Sequence, residues 1–109
     1  MTEKQFSDEE LIERFQEGDR LAYNKLVFRY KDKLHHFIYR FLNDVDRTDD
    51  LVQDTLIKLY THKNSYKKIA LFSTWIYTIA GNLARTELRK IKRRNTYAIS
   101  DLGTNDKEF

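Results

Sequence analysis

The sequence predicts an all-α fold, a compact bundle of about four helices with no sheet. Three observations carry that reading. The 109 residues include no proline and only three glycines, so little in the chain interrupts a helix or supplies hairpin turns. Charged residues make up 34% of the chain, many of them in helix-favouring Lys, Arg and Glu. Apolar residues recur every three or four positions, which is the helical period. A chain of this length is one domain with a single modest core.

Ser7 followed by Glu10 is a capping box and Gly18 is a helix stop, which together bound a first helix over residues 8–17. Asp19 is placed to cap a second helix over about residues 20–42. Its apolar positions are Tyr23, Leu26, Tyr30, Leu34, Phe37 or Ile38, and Phe41, an aromatic-rich spine for a bundle. Residues 43–49 form a turn, with Asp46 or Thr48 as the next cap. The third helix runs to about residue 62 and buries Leu51, Val52, Thr55, Leu56 and Leu59. Asp50, Gln53, Asp54 and Ile57 lie on its opposite face. Ile57 there has no core to enter, and reads either as part of a small docking patch or as a lone exposed residue.

A basic loop over residues 61–73 leads to a fourth helix capped by Ser73 or Thr74. This helix begins as a core helix and ends as a cationic one. Ile76, Ile79, Ala80 and Leu83 share one arc; Thr78, Asn82, Arg85, Arg89, Lys92 and Arg93 share another. Beyond Ala84, Glu87 and Lys90 take over the apolar arc. Residues 96–109 are polar and acidic, and read as a linker or frayed tail.

Composition excludes several classes. Without cysteine there is no disulfide framework or thiolate metal site, and a reducing compartment is the default. His35 and His36 are adjacent, so on a helix they point about 100° apart and do not share a metal. His62 is isolated. With no Gly-rich phosphate loop and with carboxylates on solvated faces, the chain is not expected to be an enzyme or to need a cofactor. No apolar run approaches a membrane span, and the polar, acidic N-terminal stretch is unlike a signal peptide, so a cytoplasmic protein is expected.

The net charge of +3 hides a segregation: residues 1–20 carry seven acids against three bases and residues 44–54 five against one. Residues 21–42 carry five bases against one acid, residues 55–81 four against none and residues 82–95 six against one. Separate acidic and basic faces suit a molecule that bridges two unlike partners. The basic part has the chemistry of a nucleic-acid surface. Lys63, Lys67 and Lys68 flank Tyr66, and Phe72 and Trp75 follow, either as core or as rings on which bases stack while lysines track phosphates. Asn82 adds a paired donor and acceptor able to read a base edge.

These residues also resemble a family. Asp50-Leu51-Val52-Gln53-Asp54-Thr55-Leu56, then Leu59-Tyr60, then Phe72-x-Thr74-Trp75-Ile76-Tyr77-x-Ile79-Ala80-x-Asn82 with a basic run are similar to region 2, the N-terminal domain, of bacterial RNA polymerase sigma factors of the extracytoplasmic-function (ECF) group. The resemblance covers about residues 8–95. It implies that Asp50, Gln53 and Asp54, with Ile57 beside them, dock on the β′ clamp helices of core RNA polymerase. It implies that the loop and the helix after it recognise and melt the minus-ten promoter element on the non-template strand. Tyr66 then matches a loop aromatic near the flipped base and Asn82 the amide that contacts the same strand. Arg85, Arg89, Lys92 and Arg93 hold phosphates of the adjoining duplex, and Trp75 is scaffold. An anti-sigma factor is a further expected partner.

The domain expected from the resemblance spans residues 1–95. Residues 96–109 would begin a linker to a C-terminal helix-turn-helix domain absent from this chain. Two rival readings compete with a transcription-initiation domain: a protein-interaction module that binds mainly an anti-sigma factor, and a generic basic-helix binder of nucleic acid. The acidic face discriminates against the last, which has no use for it.

Overall fold

The structure, a computed structural model, describes residues 5–102, with side chains described for 5–96. Helix α1 spans Asp8–Gln16, α2 Arg20–Leu42, α3 Val45–Thr61 and α4 Phe72–Leu102, with one 3₁₀ turn at Lys63–Ser65. All regular structure among the described residues is helical, as predicted.

Local chemistry sets most of the boundaries. The Ser7 hydroxyl accepts from the Glu10 amide at 3.0 Å, and the Glu10 carboxylate accepts from the Ser7 amide at 2.8 Å, closing the predicted capping box. At the other end Gly18 adopts φ 106°, a left-handed conformation that a side chain would strain. Its N–H reaches the Phe15 carbonyl while that of Asp19 reaches Arg14, a Schellman stop. Asp19 then caps α2 through the Leu21 amide at 3.0 Å. Asn43, with φ 52°, ends that helix.

Two starts differ from expectation. Helix α3 is capped by Asp44, which accepts from the Arg47 amide at 3.0 Å, rather than by Asp46 or Thr48. Thr48 is instead fully buried. Helix α4 begins at Phe72, ahead of Ser73 and Thr74, because its first amide finds a carboxylate elsewhere: Phe72 N–H donates to Glu9 Oε2 of α1 at 2.7 Å. The backbone of α4 stays helical to Leu102, past residue 95 where the tail was expected to begin. The rest of that expected tail, 103–109, lies outside the described residues.

Helix α2 is the spine. Its buried residues are Ala22, Leu26, Tyr30, Leu34, Ile38 and Leu42, one every fourth position. A strict four-residue spacing drifts about 40° per step around a 3.6-residue helix, so this stripe winds through about 200° along α2. One helix can therefore pack against α1, α3 and α4 in turn. Of the alternatives left open by the sequence, Ile38 enters the core and Phe37 is half-buried at its edge. Helix α4 answers with Phe72, Ile76, Ala80 and Ala84, whose small members let the two backbones approach.

Candidate functional site

The outer face of α3 is as the wheel predicted. Leu51, Val52, Thr55, Leu56 and Leu59 are buried, and the Thr55 hydroxyl donates to the Leu51 carbonyl at 2.7 Å, so burying it leaves nothing unpaired. Asp50, Gln53, Asp54 and Ile57 are exposed on the other side, Ile57 at 55%. Among the described residues neither Asp50 nor Asp54 has an ion-pair partner, although they sit one turn apart. Such a like-charge pair costs a few tenths of a kcal/mol in an isolated helix. Neighbouring Asp49 is different: it meets His35 of α2 at 3.0 Å. The face thus offers two uncommitted carboxylates and an amide around an apolar centre, a surface that fits a basic, amphipathic partner.

The loop between α3 and α4 turns two of the expected strand-contacting residues inward. Tyr66, expected beside a flipped base, is only 5% exposed. Its ring packs on Trp75 at 5.5 Å and Phe72 at 6.0 Å, and its hydroxyl donates to the Ala70 carbonyl. Burial, and then the charges of Glu9 and Glu13, push its hydroxyl pKa up from the ordinary value. A ring enclosed in this way supports the loop from below and offers no face to a base. Lys63, expected on phosphates, sends its ammonium to the Phe15 carbonyl at 3.1 Å and over the Phe15 ring at 4.5 Å. It neutralises the C-terminal end of α1.

Lys67 and Lys68 are exposed; Lys68 also meets Glu13 at 3.3 Å, a solvated pair worth little. What sequence reasoning missed is the tip itself. Ile69 is 96% exposed and Leu71 65%. The signal was present: two apolar residues directly after a lysine pair, in a stretch with no helical period to hide them.

On α4, Phe72 is buried and Trp75 half-buried, both as scaffold. Thr78, Asn82, Arg85, Arg89, Lys92 and Arg93 form an exposed line. Asn82 Oδ1 accepts from the Arg85 guanidinium at 3.1 Å, which leaves the amide's N–H donors for another group. Arg89 reaches Thr86 Oγ1 at 3.3 Å. Among the described residues Lys92 and Arg93 have no ion-pair partner.

A groove beside this line was also missed. Lys33, His36, Phe37 and Arg40 of α2 and Tyr77 of α4 line a shallow depression of about 490 Å³. It adjoins a second, about 420 Å³, bounded by Phe37, Tyr77, Thr78, Gly81 and Arg85. Phe37 and Tyr77 meet edge-on at 5.0 Å across the helix boundary. Neither lining contains a carboxylate. The basic excess of residues 21–42 pointed to α2, but only the packing of Tyr77 on Phe37 turns its bases into a wall of the α4 surface.

The acidic and basic helices are also tied to each other. Arg47, near the start of α3, meets Glu87 of α4 at 2.6 Å, and Arg94 lies 3.6 Å from the same carboxylate. Glu87 therefore joins the partly buried Ile91 in holding the cationic half of α4 against the bundle.

A family model described as Sigma-70 region 2 matches residues 26–94. The RNA polymerase sigma-H factor of Pseudomonas aeruginosa is 35% identical over 105 residues, covering 96% of this chain and 53% of that protein. The ECF RNA polymerase sigma-E factor of Escherichia coli K12 is 38% identical over 91 residues, 84% of this chain and 47% of the relative. The chain thus spans about half the length of the curated relatives it matches. Among solved structures it is similar to an engineered region 2 of sigmaE, determined by NMR in complex with GTAAAA. The TM-score is 0.75 at 39% identity, covering 85% of this chain and 97% of that one.

Proposed function

The chain belongs to the sigma-70 region 2 family, and on that premise we propose that it docks on core RNA polymerase and recognises and melts the minus-ten promoter element. Asp50, Gln53, Asp54 and Ile57 meet the β′ clamp helices. Asn82 presents its amide donors to a base of the non-template strand. Lys67 and Lys68 track the phosphates of that strand, and Arg85, Arg89, Lys92 and Arg93 hold the adjoining duplex. Lys33, Arg40 and the Phe37–Tyr77 pair extend the strand-binding surface onto α2. The domain works by binding and positioning, in the cytoplasm where polymerase and chromosome meet, and an anti-sigma factor that covers the α3 face would silence it.

The observation that carries this reading is the pairing of an exposed acidic face on α3, whose Asp50 and Asp54 have no ion-pair partner among the described residues, with an exposed amide-and-arginine line on α4. A generic nucleic-acid binder needs only the second. Energetics explain why both are present. Unpairing and extruding a base costs a few kcal/mol, whereas stacking returns about 1–3 kcal/mol per base. Phosphate contacts and polymerase docking supply the difference, so the domain alone binds promoter DNA weakly.

The test is single-strand binding. Asn82→Ala is expected to weaken a minus-ten oligonucleotide such as GTAAAA about 5- to 50-fold, the worth of one base-edge contact, and to leave a scrambled strand nearly unaffected. Equal losses on both strands would show that Asn82 reads no base.

A further inference from the structure

We propose that α1 acts as a ruler for the recognition loop, with Gln16 as the positioning residue that sets which base the loop accepts. The inference rests on the proposed function, in which Lys67 and Lys68 run along the single strand, and adds that the exposed loop tip between them and Phe72 meets one of its bases. It starts from how little the loop holds itself. Its own backbone bonds are two tight turns, Ser65 to His62 with Tyr66 to Lys63, and Ala70 to Lys67. A segment so sparsely bonded opens easily unless something else fixes it.

Helix α1 fixes it at both ends. Gln16 Nε2 donates to the Lys63 carbonyl at 2.8 Å and to the Tyr66 carbonyl at 3.2 Å, so one amide sets the curvature of the loop's entry. The bond is reciprocated next door, where Lys63 Nζ donates to the Phe15 carbonyl at 3.1 Å. At the exit, Glu9 Oε2 holds the Phe72 amide at 2.7 Å. Glu9 and Gln16 are seven residues apart, two turns of the same helix, and so about 10.5 Å along its axis. A rigid element thus dictates the gap that residues 67–71 must bridge, and with it where Ile69 and Leu71 project. Neither Gln16 nor Glu9 lies among the residues assigned to strand contact.

The experiment uses the full chain and Gln16→Met, which keeps side-chain length and removes both donors. Affinities are measured for single-stranded hexanucleotides built on GTAAAA with one base changed at a time. The wild type is expected to discriminate among them. In the variant the preferred strand loses about tenfold, the worth of one or two net hydrogen bonds, while mismatched strands change less than about twofold and the salt slope is unaltered. Lys63→Met, which cuts the reciprocal bond from the loop side, gives the same compression and covers the case in which Gln16→Met unfolds. A uniform loss on every strand, or no loss in either variant, overturns the positioning role. A wild type that binds all strands alike overturns both this role and the reading beneath it.

Discussion

From Phe72 to Ala84, α4 is a core helix whose buried residue returns every fourth position, whereas from Arg85 to Arg94 the same helix buries no residue fully. The first half is fixed by packing against α2 and α3. The second is held by the partly buried Ile91 and by ions, through Glu87 between Arg47 and Arg94. One exposed line of side chains runs through both. On the proposed function, Asn82 stands on a rigid platform, as geometric readout of a base edge would require. Arg89, Lys92 and Arg93 stand on a stalk, which would suffice for the proposed phosphate contacts, whose attraction is long-ranged and tolerant of small displacements.

The largest effect that separates the halves is on stability. Ile76 is fully buried, so Ile76→Ala is expected to cost about 2–5 kcal/mol and to lower the thermal midpoint sharply, with every binding activity falling together above it. Removing Arg89, Lys92 and Arg93 as a triple alanine variant should leave the midpoint nearly unmoved, since exposed substitutions stay within about 0.5 kcal/mol. It should instead flatten the salt dependence of duplex binding, by about 0.9 in slope for each phosphate no longer neutralised. The smallest effect falls on the clasp. Glu87→Gln breaks a half-exposed ion network, so a loss of at most about 1 kcal/mol is expected. Hydrogen exchange should quicken in the amides of residues 87–94 at low salt and match the wild type at high salt. A large midpoint drop in either of the last two variants would erase the distinction between platform and stalk.

The sequence made legible whatever is decided within one turn or one helical period. The capping box at Ser7, the Gly18 stop, the Asp19 cap and the two faces of α3 all follow from neighbours a few residues away. What escaped depends on distant partners. Helix α4 starts early because its cap, Glu9, comes from α1. Lys63 turns inward to a carbonyl 48 positions earlier in the chain. Tyr66 looked like a free loop aromatic because a loop has no period to reveal which way a ring points, and only the docking of Phe72 and Trp75 makes its pocket. The α2 wall of the groove likewise exists only once Tyr77 packs on Phe37. In physical terms, periodicity reports which face of a helix is buried but not what a connecting segment will meet.

One small bundle is proposed to carry two independent surfaces, an acidic one for polymerase and a basic one for the opened strand. Asp54→Lys tests it most directly, because Asp54 is exposed and among the described residues has no ion-pair partner to lose. The measurement is retention of a β′ clamp-helix fragment alongside binding of GTAAAA by the same variant preparation. Clamp binding is expected to be abolished while oligonucleotide affinity and thermal midpoint stay at wild-type values. Clamp binding that survives the charge reversal would contradict the proposal.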